Sequence, residues 1–228
     1  MNGGALRCFY LVNELAKQHE VYVLTIQPET DFEIQAKPLW PANVKLISIA
    51  GKPAYRSVLS FLPAKLADAV HSRMLRRNLR APANSYFLKA YPALKRALRD
   101  IKPSLVILEN LEAVGMFAHP IKKQFPSAKI IYDAHNVDSV LWRQLAAAQN
   151  DPLLISYAEA SLHTERHLHK TVDAVFCCSE HDRLVLTALN AGKLNATLIP
   201  NGVDCSLKIA DPNPMKFELA KILFCGSL

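Results

Sequence analysis

Short β-branched runs alternate with longer stretches of helical spacing along this chain, and that alternation limits the possible folds more than any other feature. Val21-Tyr22-Val23-Leu24-Thr25-Ile26 reads as a strand, and so do residues 44–49, 104–108, 128–132, 174–178, 196–199 and 221–225. Ala5, Cys8, Phe9, Val12, Leu15 and Ala16 recur at helical spacing, which predicts an amphipathic helix over residues 4–18. Residues 55–100 predict two helical pieces broken near Pro82, with further helices over 111–124, 137–149, 153–170 and 180–190. Strands that alternate with helices imply an α/β fold built on a doubly wound parallel sheet.

The chain has 228 residues, half of them apolar, which is enough for a substantial core. No apolar run approaches the roughly 18–20 residues needed to cross a bilayer. Polar Asn13, Glu14 and Lys17 interrupt what would be the apolar segment of a secretory leader, so a cytoplasmic location is expected. The five cysteines show no metal-ligand spacing, and adjacent Cys177 and Cys178 fall in an apolar run that suits buried free thiols. Charge is uneven: residues 1–100 hold 15 Lys and Arg against 7 Asp and Glu, while the remainder holds 12 against 13. A one-sided basic excess points to an anionic partner.

The polar signals gather where the strands end. Glu109-Asn110 closes one strand, Asp133-Ala134-His135-Asn136 the next, Ser179-Glu180-His181-Asp182 another, and Pro200-Asn201-Gly202-Val203-Asp204 the last of the group. Each lies at a carboxyl end, the edge that forms the ligand crevice in open α/β sheets. The bland alternative is that Asn, Asp, Ser and Gly cap helices and make turns there. Gly3-Gly4 directly precedes the first helix; it is either a tight turn or a place where phosphate approaches free N–H groups.

Asn2-Gly3-Gly4-Ala5-Leu6-Arg7, with Asn13-Glu14-Leu15-Ala16 and Glu20-Val21-Tyr22-Val23-Leu24-Thr25, resembles the opening of family 4 glycosyltransferases. Asp133-Ala134-His135-Asn136-Val137-Asp138-Ser139 is similar to the D-x-HN-V-E-S segment of one branch. Cys178-Ser179-Glu180-His181-Asp182, Ile199-Pro200-Asn201-Gly202-Val203-Asp204 and Ile222-Leu223-Phe224-Cys225-Gly226-Ser227-Leu228 follow in family order. The resemblance implies a GT-B arrangement of two Rossmann-like domains. Residues 1–200 would form the acceptor-side domain, 201–220 the linker, and 221–228 the first strand of a donor domain cut short. The family's strand before Gly-Gly would be missing, leaving unpaired edges on the strands at 21–26 and 104–108. Residues 222–225 have the composition to fill that central slot.

By the same resemblance, a nucleotide-sugar is the donor substrate and neither cofactor nor metal is required. Gly3 and Gly4 would approach the donor phosphates. His135 would reach the cleft near the transferred sugar, unless it is a satisfied structural histidine. Asn201 and Gly202 would mark the crossover between domains. Glu109, Asn110 and Asn136 are candidate acceptor contacts by position. Asp133 and Asp138 are expected to cap or orient and Ser179 with Asp182 to cap; Arg7 and Arg166 could meet phosphates, but are expected on exposed helix faces.

His163 and His167 stand at i and i+4, as in a zinc site, but Glu165 is one place late for a zinc-protease motif and points to another helix face. Residues 56–80 carry Arg56, Lys65, Arg73, Arg76, Arg77 and Arg80 against Asp68 alone. They form either an amphipathic helix packed on the sheet or a peripheral contact with the anionic inner face of a membrane. Aromatics do not interleave with these charges, which argues against nucleic acid. The expected function is retaining transfer of a sugar to a polysaccharide or glycolipid acceptor, the chain being a fragment. The alternative is a non-catalytic remnant or split-enzyme subunit that binds only acceptor or partner. A Rossmann oxidoreductase would need a full G-x-G-x-x-G and its acidic partner.

Overall fold

The structure is a computed structural model that describes residues 3–25, 40–49 and 85–202. The basic segment at 56–80, the linker beyond Gly202 and the strand expected at 221–225 lie outside these residues.

Helix α1 (Gly3–Ala16) leads into β1 (Val21–Thr25), and β2 (Val44–Ser48) pairs with β1 in parallel. Helix α2 (Ser85–Ile101) precedes β3 (Leu105–Leu108) and holds Pro92 in its interior. Then α3 (Leu111–Ala113), a π-helical segment (Val114–Ala118) and α4 (His119–Gln124) run on without a break. Strand β4 (Lys129–Ala134), α5 (Asp138–Gln149), α6 (Pro152–Glu165), α7 (Leu168–Thr171), β5 (Ala174–Cys177), α8 (Glu180–Leu189) and β6 (Ala196–Leu198) complete the order.

All pairings are parallel, and they fall into two sheets among the described residues: β1-β2, and β3-β4-β5-β6. Among the described residues no strand bridges β1 and β3, the two strands expected to lack a neighbour. Leu105, the first residue of β3, is 42% exposed, whereas Ile130, Tyr132 and Ala134 of β4 are at most 1% exposed. β4 is flanked on both sides by β3 and β5, as an apolar parallel strand requires. Leu24 and Ile47 still pack against the main core beside Ile49 and Leu108, so the two sheets share one interior.

Local chemistry sets the boundaries. Asp151 accepts from the Leu153 N–H at 2.8 Å and Pro152 follows it at the first position of α6. Asn150 ends α5 in the left-handed region at φ 51°. Ser179 caps α8, accepting from Asp182 N–H at 3.1 Å and donating its hydroxyl to Asp182 Oδ2 at 2.7 Å, the capping role read from sequence. The helix expected over 153–170 breaks at Arg166 and His167, where α6 ends and α7 begins.

Asn190 follows α8 and is 1% exposed. Its Oδ1 accepts from His169 N–H at 3.1 Å and lies 2.8 Å from His169 Nδ1, while Nδ2 donates to the carbonyls of Glu165 and Leu186 at 2.7 and 2.8 Å. One carboxamide thus ties α6, α7 and α8 together. Asn190→Ala strands these buried groups and is expected to cost about 2 kcal/mol in chemical denaturation; an unchanged midpoint would show that water replaces the carboxamide.

Candidate functional site

The carboxyl end of β4 collects the predicted residues. Register pairs Leu108 with Tyr132, so Glu109 leaves β3 beside Asp133 on β4. Strand β4 runs two residues further than the sequence predicts, through Asp133 and Ala134, because both are fully buried and pair with Phe176 and Cys177 of β5. Asp133 is therefore a strand residue rather than part of a loop.

The partner of Asp133 is Arg7, and here the sequence expectation is corrected. Arg7 does not sit on an exposed helix face but is 9% exposed. Its Nε lies 3.1 and 2.9 Å from the two Asp133 oxygens, and Nη2 donates to Oδ1 at 2.8 Å. The remaining arm, Nη1, donates to the Ile199 carbonyl at 2.6 Å and to Asn201 Oδ1 at 3.2 Å. A planar fork with five N–H groups suits this task, which a lysine ammonium would not reproduce. The first two turns of α1, the end of β4 and the segment after β6 are joined at one guanidinium.

His135 stands just beyond Ala134, half-buried, with Nε2 3.3 Å from Glu109 Oε2. The hydrogen bond to Glu109 raises the imidazole pKa above its ordinary value; burial opposes this, Asp133 adds to it and Arg7 subtracts. Glu109, Asp133 and His135 place one ligand atom each within 4.8 Å of one another. That grouping does not suit a metal ion, since Arg7 already occupies both Asp133 oxygens and brings its own positive charge. Histidines 163 and 167 are also differently engaged: their rings lie 4.7 Å apart with planes tilted by 44°, and His167 Nδ1 lies 2.7 Å from the His163 carbonyl.

The other candidates divide. Gly3 and Gly4 do not precede α1 but form its first two residues, so their N–H groups belong to its unsatisfied first turn. Arg7, one turn on, reaches the β4 carboxyl end, so this turn lies at the same edge. Asn110 is the N-cap of α3, accepting from Ala113 N–H at 2.7 Å. Asn136 is exposed beside His135. Asn201 joins Arg7, whereas Gly202 is exposed and a Cβ there would meet nothing within 4 Å. Arg166 is exposed, as expected. Cys177 is buried and Cys178 half-buried, its thiol donating to the Ala134 carbonyl at 3.4 Å. Burial pushes the Cys177 thiol up to about 11 and that of Cys8 up to about 12, so both are poor thiolates.

Sequence reasoning named Asp138 and Glu165 but not the burial that shifts them, and it did not single out Glu112. Burial raises the pKa of Glu112 and, with Glu112 adding its charge, lifts Asp138 to about 6 against the pull of His135. Glu165 of α6 is fully buried and accepts from Ser139 N–H at 3.2 Å. No helix of the described residues is long and apolar enough to cross a membrane.

Residues 1–207 match the family model of Glycosyltransferase Family 4. No curated protein and no solved structure matches the chain.

Proposed function

This chain belongs to glycosyltransferase family 4, and we propose that it forms the acceptor-facing side of a cleft in which a sugar passes from a nucleotide-sugar to a polysaccharide or glycolipid acceptor. The observation that carries this reading is the convergence of Glu109, Asp133, His135, Arg7 and Asn201 on one strand-end edge. His135 faces the transferred sugar, the Gly3-Gly4 turn approaches the donor phosphates, and Glu109, Asn110 and Asn136 border the acceptor. Asn201 and Gly202 begin the crossover to the donor side.

In this reading the residues position and stabilise; they do not attack. Holding donor and acceptor in line supplies most of the rate, and the free N–H groups of the first turn of α1 meet the charge on the departing diphosphate. The reaction retains configuration, as expected for the family.

The test is release of nucleoside diphosphate from a panel of nucleotide-sugars, with and without candidate acceptors. Donor binding is expected, and where turnover accompanies it His135→Ala should lower the rate about 100-fold, the scale of one lost electrostatic contact, without shifting the melting temperature. Failure of every donor to bind in calorimetry or to turn over would overturn the catalytic reading. It would favour a non-catalytic subunit that binds acceptor or partner.

A further inference from the structure

Arg7 holds Asp133 and leaves Glu109 as the carboxylate in hydrogen-bond contact with His135. Asp133 is closer along the chain, but both of its oxygens are held by the guanidinium. Asp138, at the start of α5, feels the charge of the ring; its burial and the charge of Glu112 keep its proton on to about pH 6. Cys8 of α1 keeps a neutral thiol that hydrogen-bonds Glu109, so Glu109 carries this neutral contact besides the one to His135. The charged groups around the ring are therefore a balanced Arg7–Asp133 pair, a reluctant acid at Asp138, and Glu109.

We propose that Glu109 is a positioning residue for His135: it holds the ring by Nε2, supplies its counter-charge, and leaves Nδ1 to meet an oxygen of the bound sugar or its phosphate. This deepens the reading of the site as a glycosyl-transfer cleft and rests on it. Among the described residues Nδ1 has no partner. With Nε2 donating to Glu109, a protonated ring offers Nδ1–H as a cationic donor, the polarity suited to an oxygen that carries or gains negative charge. The two side chains are 24% and 34% exposed, open enough for a ligand and closed enough for the pair to be weakly screened.

The geometry also accounts for the choice of edge. Glu109 is the first residue beyond β3 and His135 the first beyond β4, on adjacent parallel strands whose register is set by Leu108 and Tyr132. Neither side chain has to reach far, and the pair needs no long flexible stem to form.

The experiment follows the His135 ring directly. Imidazole resonances of the whole chain are titrated by NMR, with His135→Asn used to assign the signal. Glu109→Gln, which keeps shape and an acceptor but removes the charge, is expected to lower the His135 midpoint by about one unit. Glu109→Asp should restore part of that shift. Melting temperatures within a few degrees of the parent show that both variants are folded. An unchanged midpoint in folded Glu109→Gln overturns the proposal. So does an equal drop in both variants, since a shortened carboxylate keeps the charge. The titration needs no substrate, so its outcome is separate from whether the chain transfers sugar. Where turnover is measured, the acidic-to-neutral fall in rate should move to lower pH in Glu109→Gln by the same amount as the NMR midpoint.

Discussion

Arg7→Met is expected to destabilise the protein by about 3–5 kcal/mol, the usual cost of stripping one partner from a buried ion pair. Asp133 is fully buried and would keep a charge with no counter-ion. The Ile199 carbonyl and Asn201 would also lose their donor. Methionine fills much of the arginine stem's volume, so the loss reflects charge and hydrogen bonding more than a cavity. Arg7→Lys should recover only part, because an ammonium cannot grip Asp133 side-on and reach Ile199 at once. The informative variant is Arg7→Met combined with Asp133→Leu, which removes the stranded charge. Replacing both members of a buried pair by apolar groups is often close to neutral. Most of the stability should therefore return, measured by urea denaturation. A double variant as weak as the single one would show that the links to Ile199 and Asn201, rather than the ion pair, hold α1 in place.

Arg7 also shows where legibility ends. The period of Ala5, Cys8, Phe9 and Val12 identifies α1, but Arg7 lies off that stripe and its partner is 126 residues away. Nothing local distinguishes it from a solvated arginine. The strands were legible because their apolar runs are short and bounded by turn residues, and the carboxyl-edge clusters followed from their order. Ser179 and Asp182 were legible as a cap because the cap is made within four residues. The couplings that build the site are all long-range: Arg7 with Asp133, Glu109 with His135, Glu165 with Ser139. The reach of β4 through Asp133 was hidden for a related reason. An aspartate reads as a strand terminator until its buried partner is known.

The largest pH effect should come from Glu165. Helix α5 begins after Val137, which has no side-chain oxygen to cap it, and Glu165 of α6 reaches across to accept from the orphan Ser139 N–H. Its other oxygen, Oε2, is buried without a hydrogen-bond partner among the described residues. Burial lifts the Glu165 carboxyl to about 7, opposed by the Ser139 hydrogen bonds and aided by the charge of Asp138. A carboxyl raised in the folded state holds its proton more tightly there than in the unfolded chain. Its contribution is thus fully present below the ordinary glutamate value near 4.5 and is lost as pH rises through about 7. The interval corresponds to about 3 kcal/mol at full ionisation. Glu165→Gln keeps the acceptor for Ser139 and mimics the protonated acid. It should match the parent near pH 4.5 and exceed it by roughly 3 kcal/mol near pH 8. Asp138, lifted to about 6, titrates in the same interval and feels the Glu165 charge, so the difference curve reports the coupled pair with Glu165 as its larger member. Urea midpoints at half-unit intervals would give the difference curve. A constant offset between the two proteins, with no rise between pH 5 and 8, would mean that Glu165 is ionised throughout and that its carboxylate is a permanent cap for α5.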